Sequence, residues 1–133
     1  MIVLKPDHLL FIEPQLPRSA EPVIDEYTRR MAGAMLSASP QAAYRGIHRC
    51  HCGATSTNCD YIVRIQQRVA GSPWHGLLTN SLAVHYLALH RDEVPPDELT
   101  KVLMLTAEPT DPTPSALGMQ VSAPRLWKMP RRC

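Results

Sequence analysis

The sequence predicts an α+β fold: a small single domain of two to four short strands packed on about three helices, followed by an extended Pro-rich C-terminal tail. Three observations lead there. Apolar residues recur at three- and four-residue spacing in two stretches, 21–37 and 79–91, as on the buried face of a helix. Runs such as Ile2-Val3-Leu4 and Tyr61-Ile62-Val63 are short and rich in β-branched residues, which is strand chemistry. Seven of the thirteen prolines fall from Pro95 onward, where periodicity fades, so they divide a compact domain at 1–106 from a tail at 107–133.

Taken in order, residues 2–12 are apolar but interrupted by Pro6, which suits one or two short strands better than a helix. Pro14 and Pro17 close that segment. Ser19 offers an N-cap and Pro22 fits a first turn, so a helix is expected over 21–37, with Ile24, Tyr27, Met31 and Met35 facing inward. Glu26 and Arg30 form an i,i+4 pair on its outer side. Residues 46–52 read as a strand, 53–58 as a turn, and 60–69 as a second strand ended by Gly71-Ser72-Pro73, so the two suggest a hairpin. Thr79, Asn80 and Ser81 offer caps for a helix running to about Arg91, nearly apolar all round and therefore central. Pro95-Pro96 opens a last helix over 96–106, with Leu99, Val102, Leu103 and Thr106 on one face.

Composition bounds the function. Fourteen Lys and Arg against twelve Asp and Glu leave a net charge of +2, short of the clustered positive charge that nucleic-acid binding requires. No apolar run reaches the roughly 18 residues that span a bilayer, because 77–89 is broken by Thr79, Asn80, Ser81 and His85. Lys5, Pro6 and Asp7 spoil the N-terminus as a signal peptide, so a soluble, cytoplasmic protein is expected. A chain of 133 residues does not need disulfides to fold, and cysteines beside histidines in a reducing compartment point to metal or thiol chemistry instead.

The cysteines and histidines are not spread evenly. Eight of the ten lie within the 43 residues from 48 to 90, about a third of the chain. On an extended strand, His48, Cys50 and Cys52 would share one face, and His85 lies on the inward stripe of the helix expected to cover it. Zinc takes four nitrogen or sulfur ligands in a tetrahedron, and Cys50, Cys52 and His85, with either His48 or Cys59 as the fourth, would supply them. Gly53 permits the bend that two ligands one residue apart demand. His90 falls about 140° around a continuous helix from His85, which places it away from the same ion. Asp60 and Asn80 are candidate hydrogen-bond partners that orient the imidazoles.

Each of these residues also has a plainer role. Free cysteine packs as a small apolar side chain, a histidine on an apolar face is commonly a hydrogen-bonded core residue, and Thr79, Asn80 and Ser81 can serve as caps alone. The clustering tips the balance to zinc. The expected function is thus a small zinc-binding protein with a structural Cys/His site, acting as a binding or adaptor module toward a protein partner. A hydrolase is the alternative, with Cys50 or Cys52 as nucleophile and His85 as base, or a zinc-bound water with Asp60 or Glu93 as base. A weak nucleic-acid binder, through Arg125, Trp127, Lys128, Arg131 and Arg132 of the tail, is the third reading.

Overall fold

Asp25 accepts a hydrogen bond from the Thr28 N–H and so starts helix α1, Glu26–Leu36. The helix begins later than its apolar spacing predicts because residues 19–23 are used elsewhere. Ser19 N–H donates to Leu89 O and Val23 N–H to Ala88 O, satisfying carbonyls at the end of another helix, so this stretch runs extended. Ser19 is therefore not the cap; its hydroxyl bonds Glu21 O instead. Met31, Ala32 and Ala34 are buried, whereas Ile24, ahead of the first turn, is 42% exposed.

The computed structural model describes residues 5–43, 48–57, 59–73 and 75–118. Within them the chain forms a small α+β domain with a three-stranded antiparallel sheet and four helices. Residues 2–4 of the expected first strand, 44–47, Asn58, the basic residues of the tail and Cys133 lie outside the described residues.

Strand β1 is Ser39–Ala43, β2 is Cys59–Arg64 and β3 is Gly76–Thr79, in the order β1-β2-β3. Tyr61 pairs with Thr79 and Arg64 with Gly76, while Ser39 pairs with Ile62 and the β1–β2 register slips between Pro40 and Ala43. The expected hairpin between 46–52 and 60–69 does not form. β2 pairs instead with β1 and β3, and 48–56 folds back on itself. The β3 strand was not expected and ends at Thr79, the first of the expected helix caps: four buried residues covered on both faces carry no period by which sequence could mark them as a strand. Gly76 is needed there, since a Cβ would lie 1.9 Å from Val63 O. The outer edge of β3 is covered by the N-terminal arm, with Leu9 N–H bonded to Leu78 O and Leu78 N–H to Asp7 O.

Helix α2, Ala83–Leu89, is shorter than the expected 79–91 and buried at every residue. Asn80 Oδ1 accepts from Leu82 N–H at its entrance, and its exit is held by Arg91, whose Nε donates to Leu87 O while its other nitrogens grip the Asp25 carboxylate at 2.7 Å. A 3-10 turn, Arg91–Glu93, leads to α3, Pro96–Leu103. Buried Glu98 of α3 accepts from Leu10 N–H and pairs with Lys101, whose ammonium also bonds Lys5 O and His8 O; these contacts pin the arm to the core.

Residues 107–118, expected in the tail, pack on the domain. Thr110 N–H bonds Arg29 O, Arg29 pairs with Asp111, and the backbone of Glu108 lies against Gly33 of α1. Helix α4, Pro114–Leu117, is capped by Thr113 and ends on left-handed Gly118, with Leu117 buried against α2. Proline here shapes a strap that stays in contact with the domain.

Candidate metal centre

A tight turn presents the two cysteines. Cys50 N–H donates to Ala54 O, Gly53 N–H to Cys50 O, and Ser56 N–H to His48 O, while Arg49 and Thr55 face each other across an antiparallel bridge. Residues 48–56 are thus a miniature hairpin with Cys50-His51-Cys52-Gly53 at its tip. Gly53 has φ 105, a left-handed conformation in which a side chain would be strained. The sequence expectation of a strand through Cys52 is corrected here: a turn, rather than side-chain alternation, turns both sulfurs to one side.

Those sulfurs meet two imidazoles. Cys52 Sγ lies 3.2 Å from His85 Nε2 and Cys50 Sγ lies 3.2 Å from His90 Nε2. All four ligand atoms lie within 4.8 Å of one another. A tetrahedral zinc site, with Zn–S about 2.3 Å and Zn–N about 2.0 Å, sets its sulfurs about 3.8 Å apart and each sulfur about 3.5 Å from a nitrogen. The observed spacing is close to that and needs only small adjustments. Cys50, Cys52, His85 and His90 therefore lie close enough to bind one metal ion.

The surroundings prepare these groups for ligation. His85 is buried, and its Nδ1 lies 2.8 Å from Leu117 O. A carbonyl only accepts, so the proton sits on Nδ1 and the Nε2 lone pair faces Cys52. That arrangement fixes the tautomer a metal-bound imidazole needs. Gly118 closes over the ring so tightly that a Cβ would come within 2.9 Å of Nδ1. Burial lowers the pKa of both His85 and His90, keeping them neutral. The Nδ1 of His90 is buried without a hydrogen-bond partner among the described residues, with Glu93 Oε2 at 3.9 Å. Burial pushes the Cys50 thiol up to about 11. Metal-free, the two pairs are thiol–imidazole hydrogen bonds; a bound cation would replace the two thiol protons.

The structure brings Cys50, Cys52 and His85 together, as the spacing suggested, but adds His90 and leaves out His48 and Cys59. His48 turns to Asp60, with Nε2 3.2 Å from Oδ1, and packs edge-on against Phe11. Cys59 is buried on β2, its sulfur 3.9 Å from the Thr57 hydroxyl. Asp60 and Asn80 make no hydrogen bond to the four clustered residues; Asn80 bonds Leu10 O and Leu82 N–H. The helical projection that set His90 aside assumed a helix through residue 90. In fact α2 stops at Leu89, and His90, with φ −132 and ψ 36, swings back so that its ring centroid is 5.0 Å from that of His85. The His-x(4)-His interval is itself a zinc-ligand spacing and carried the signal.

No family model, curated protein or solved structure matches the chain. No helix among the described residues is long and apolar enough to cross a membrane.

Proposed function

We propose that the protein is a zinc protein whose Cys2His2 centre is structural, and that it works as a binding or adaptor module. The observation that carries this reading is the convergence of four protein donors, two sulfur and two nitrogen, within 4.8 Å. Four such donors complete a tetrahedron and leave no position for a substrate or an activated water, which favours a structural over a hydrolytic role. Mixed thiolate and imidazole ligation suits zinc and disfavours calcium or magnesium, which take oxygen. The ion would tie the 48–56 hairpin to α2 and, through the His85–Leu117 bond, to α4. Reduced thiols fit a cytoplasmic setting.

The adaptor role rests on surface rather than chemistry. Leu16 is 59% exposed, and with Pro17, Val23, Arg91, Asp92 and Glu93 it lines a depression of about 180 Å3 beside the His90 loop, a mixed apolar and charged feature suited to a protein partner.

Cobalt(II) substitution tests the centre. Titration of the chelator-treated protein should give intense tetrahedral ligand-field absorption with thiolate charge transfer, saturating at one ion per chain and displaced by zinc. The charge-transfer band should vanish in Cys52→Ser combined with Cys50→Ser and persist in Cys59→Ser. A weak octahedral spectrum without thiolate charge transfer would refute the ligand set.

A further inference from the structure

A second cavity, of about 380 Å3, is bounded by Phe11 and Glu13 of the arm, His48 and Arg49 of the hairpin, and Asn80 and Tyr86 of the core. Its volume is in the range of small-molecule sites. Tyr86 forms a shared wall, its ring also touching His85 and His90 of the metal cluster.

Several features of this cavity bear on a ligand. Tyr86 is only 2% exposed, yet its hydroxyl has no hydrogen-bond partner among the described residues. The hydroxyl is not sealed in the core, where among the described residues His90 Nδ1 is the buried side-chain polar atom left without a partner; it opens to the cavity. The side chains of Arg49 and Glu13, one positive and one negative, also lack partners there while lining the same space. His48 is clamped, its Nε2 on buried Asp60 and its ring against Phe11, so it is a fixed part of the wall. Finally, Leu10 is a non-glycine residue at φ 60. Its strained backbone is held by Glu98 on the N–H and Asn80 on the carbonyl, and it sets the turn that delivers Phe11 and Glu13 to the cavity.

We propose that this cavity binds a small zwitterion with an apolar body, the chemistry of a free α-amino acid. Arg49 takes the carboxylate and Glu13 the ammonium, each solvated side chain exchanging water for a ligand group of opposite charge. The Phe11 and Tyr86 rings flank the apolar side chain, and the Tyr86 hydroxyl, which opens to the cavity, bonds the ligand's polar end. The site is separate from the metal cluster and its occupancy does not depend on the identity of the ion.

The probe is L-phenylalanine, titrated calorimetrically and by NMR into the full chain as purified, alongside L-phenylalaninamide and N-acetyl-L-phenylalanine. Saturable binding is expected, with resonances of Phe11, His48 and Tyr86 shifting and each capped analogue at least about tenfold weaker. Arg49→Gln should weaken phenylalanine by about tenfold while leaving the amide unchanged, and Glu13→Gln should do the same with the acetylated analogue as its insensitive partner. Both side chains are exposed, so the two variants should melt with the parent protein. Lack of saturable phenylalanine binding up to about 10 mM overturns the proposal. So does equal affinity for the amide, which would make the site a reader of peptide N-termini, or for the acetylated form, which would make it a reader of C-termini.

Discussion

His85 is the residue on which the candidate centre turns, because one bond to Leu117 O decides which nitrogen faces the sulfurs. His85→Ala and Cys52→Ser are each expected to lose metal and to melt lower, whereas His48→Ala and Cys59→Ser keep it; metal analysis and thermal melts on the four variants check this. Protons compete with the ion at the same atoms. Cys50, pushed up to about 11 by burial, is a thiol at neutral pH and must release its proton on ligation. Apparent zinc affinity should therefore fall by at least about tenfold per unit of acidification between about pH 8 and 6, read by competition with a chelator of known pH dependence. Asp25 behaves oppositely to a buried thiol. The Arg91 guanidinium holds its carboxyl down from 3.8 to about 2, so the stability it contributes is complete above about pH 4 and is lost as pH falls through 2. The carboxylate is 41% exposed, and solvent screening reduces the pair to about 1 kcal/mol. Asp25→Ala, which also removes the N-cap of α1, should cost about 1–2 kcal/mol at pH 7 and clearly less at pH 2, where the carboxyl is about half protonated, measured by denaturant unfolding.

Among the elements, α1 shows what close backbone packing demands. A Cβ on Gly33 would stand 1.8 Å from Glu108 O, so Gly33→Ala must push the 107–111 strap off the helix. A loss of about 1–3 kcal/mol is expected, with amide exchange accelerating at Thr110, whose N–H bonds Arg29 O. Nothing in the sequence around Gly33 announces this, since the partner is 75 residues away. The body of α1 was legible because Tyr27, Met31 and Met35 lie at helical spacing and pack on the core, but its start was not. The N–H groups of Ser19 and Val23 go to carbonyls at the end of α2, a tertiary bond that local propensity cannot see. β3 was hidden for the opposite reason, being buried on both faces and so without alternation. The density of cysteine and histidine marked the neighbourhood of the site and three of the four clustered residues. His90 escaped because a nearly uniform apolar run looks like one continuous helix, and the break at Leu89 is made by Arg91 reaching across to Asp25.

At the scale of the molecule, the cluster adds a polar tie between parts already in contact: a nine-residue hairpin, the central helix and the strap ending in α4, whose Leu117 is buried against α2. Most of the core, including Leu9, Met31, Val63, Leu77, Leu87 and Val102, comes from the arm, the sheet, α1, α2 and α3, while the hairpin and α4 add Cys50 and Leu117 at its margin. Metal removal is accordingly expected to lower the melting temperature and deprotect 48–57 and 113–118 in hydrogen exchange, while β2 and β3 stay protected. This differs from a zinc finger, where the whole fold depends on the ion. The central claim is that one zinc ion occupies the four-donor cluster. Its most direct test is elemental analysis of protein purified without chelator, paired with thiol titration of the same sample. About one equivalent of zinc per chain, with Cys50 and Cys52 resistant to thiol reagent until the metal is stripped, is the predicted result. Less than about a tenth of an equivalent of zinc or iron, with all four thiols of the chain reacting freely, would contradict it.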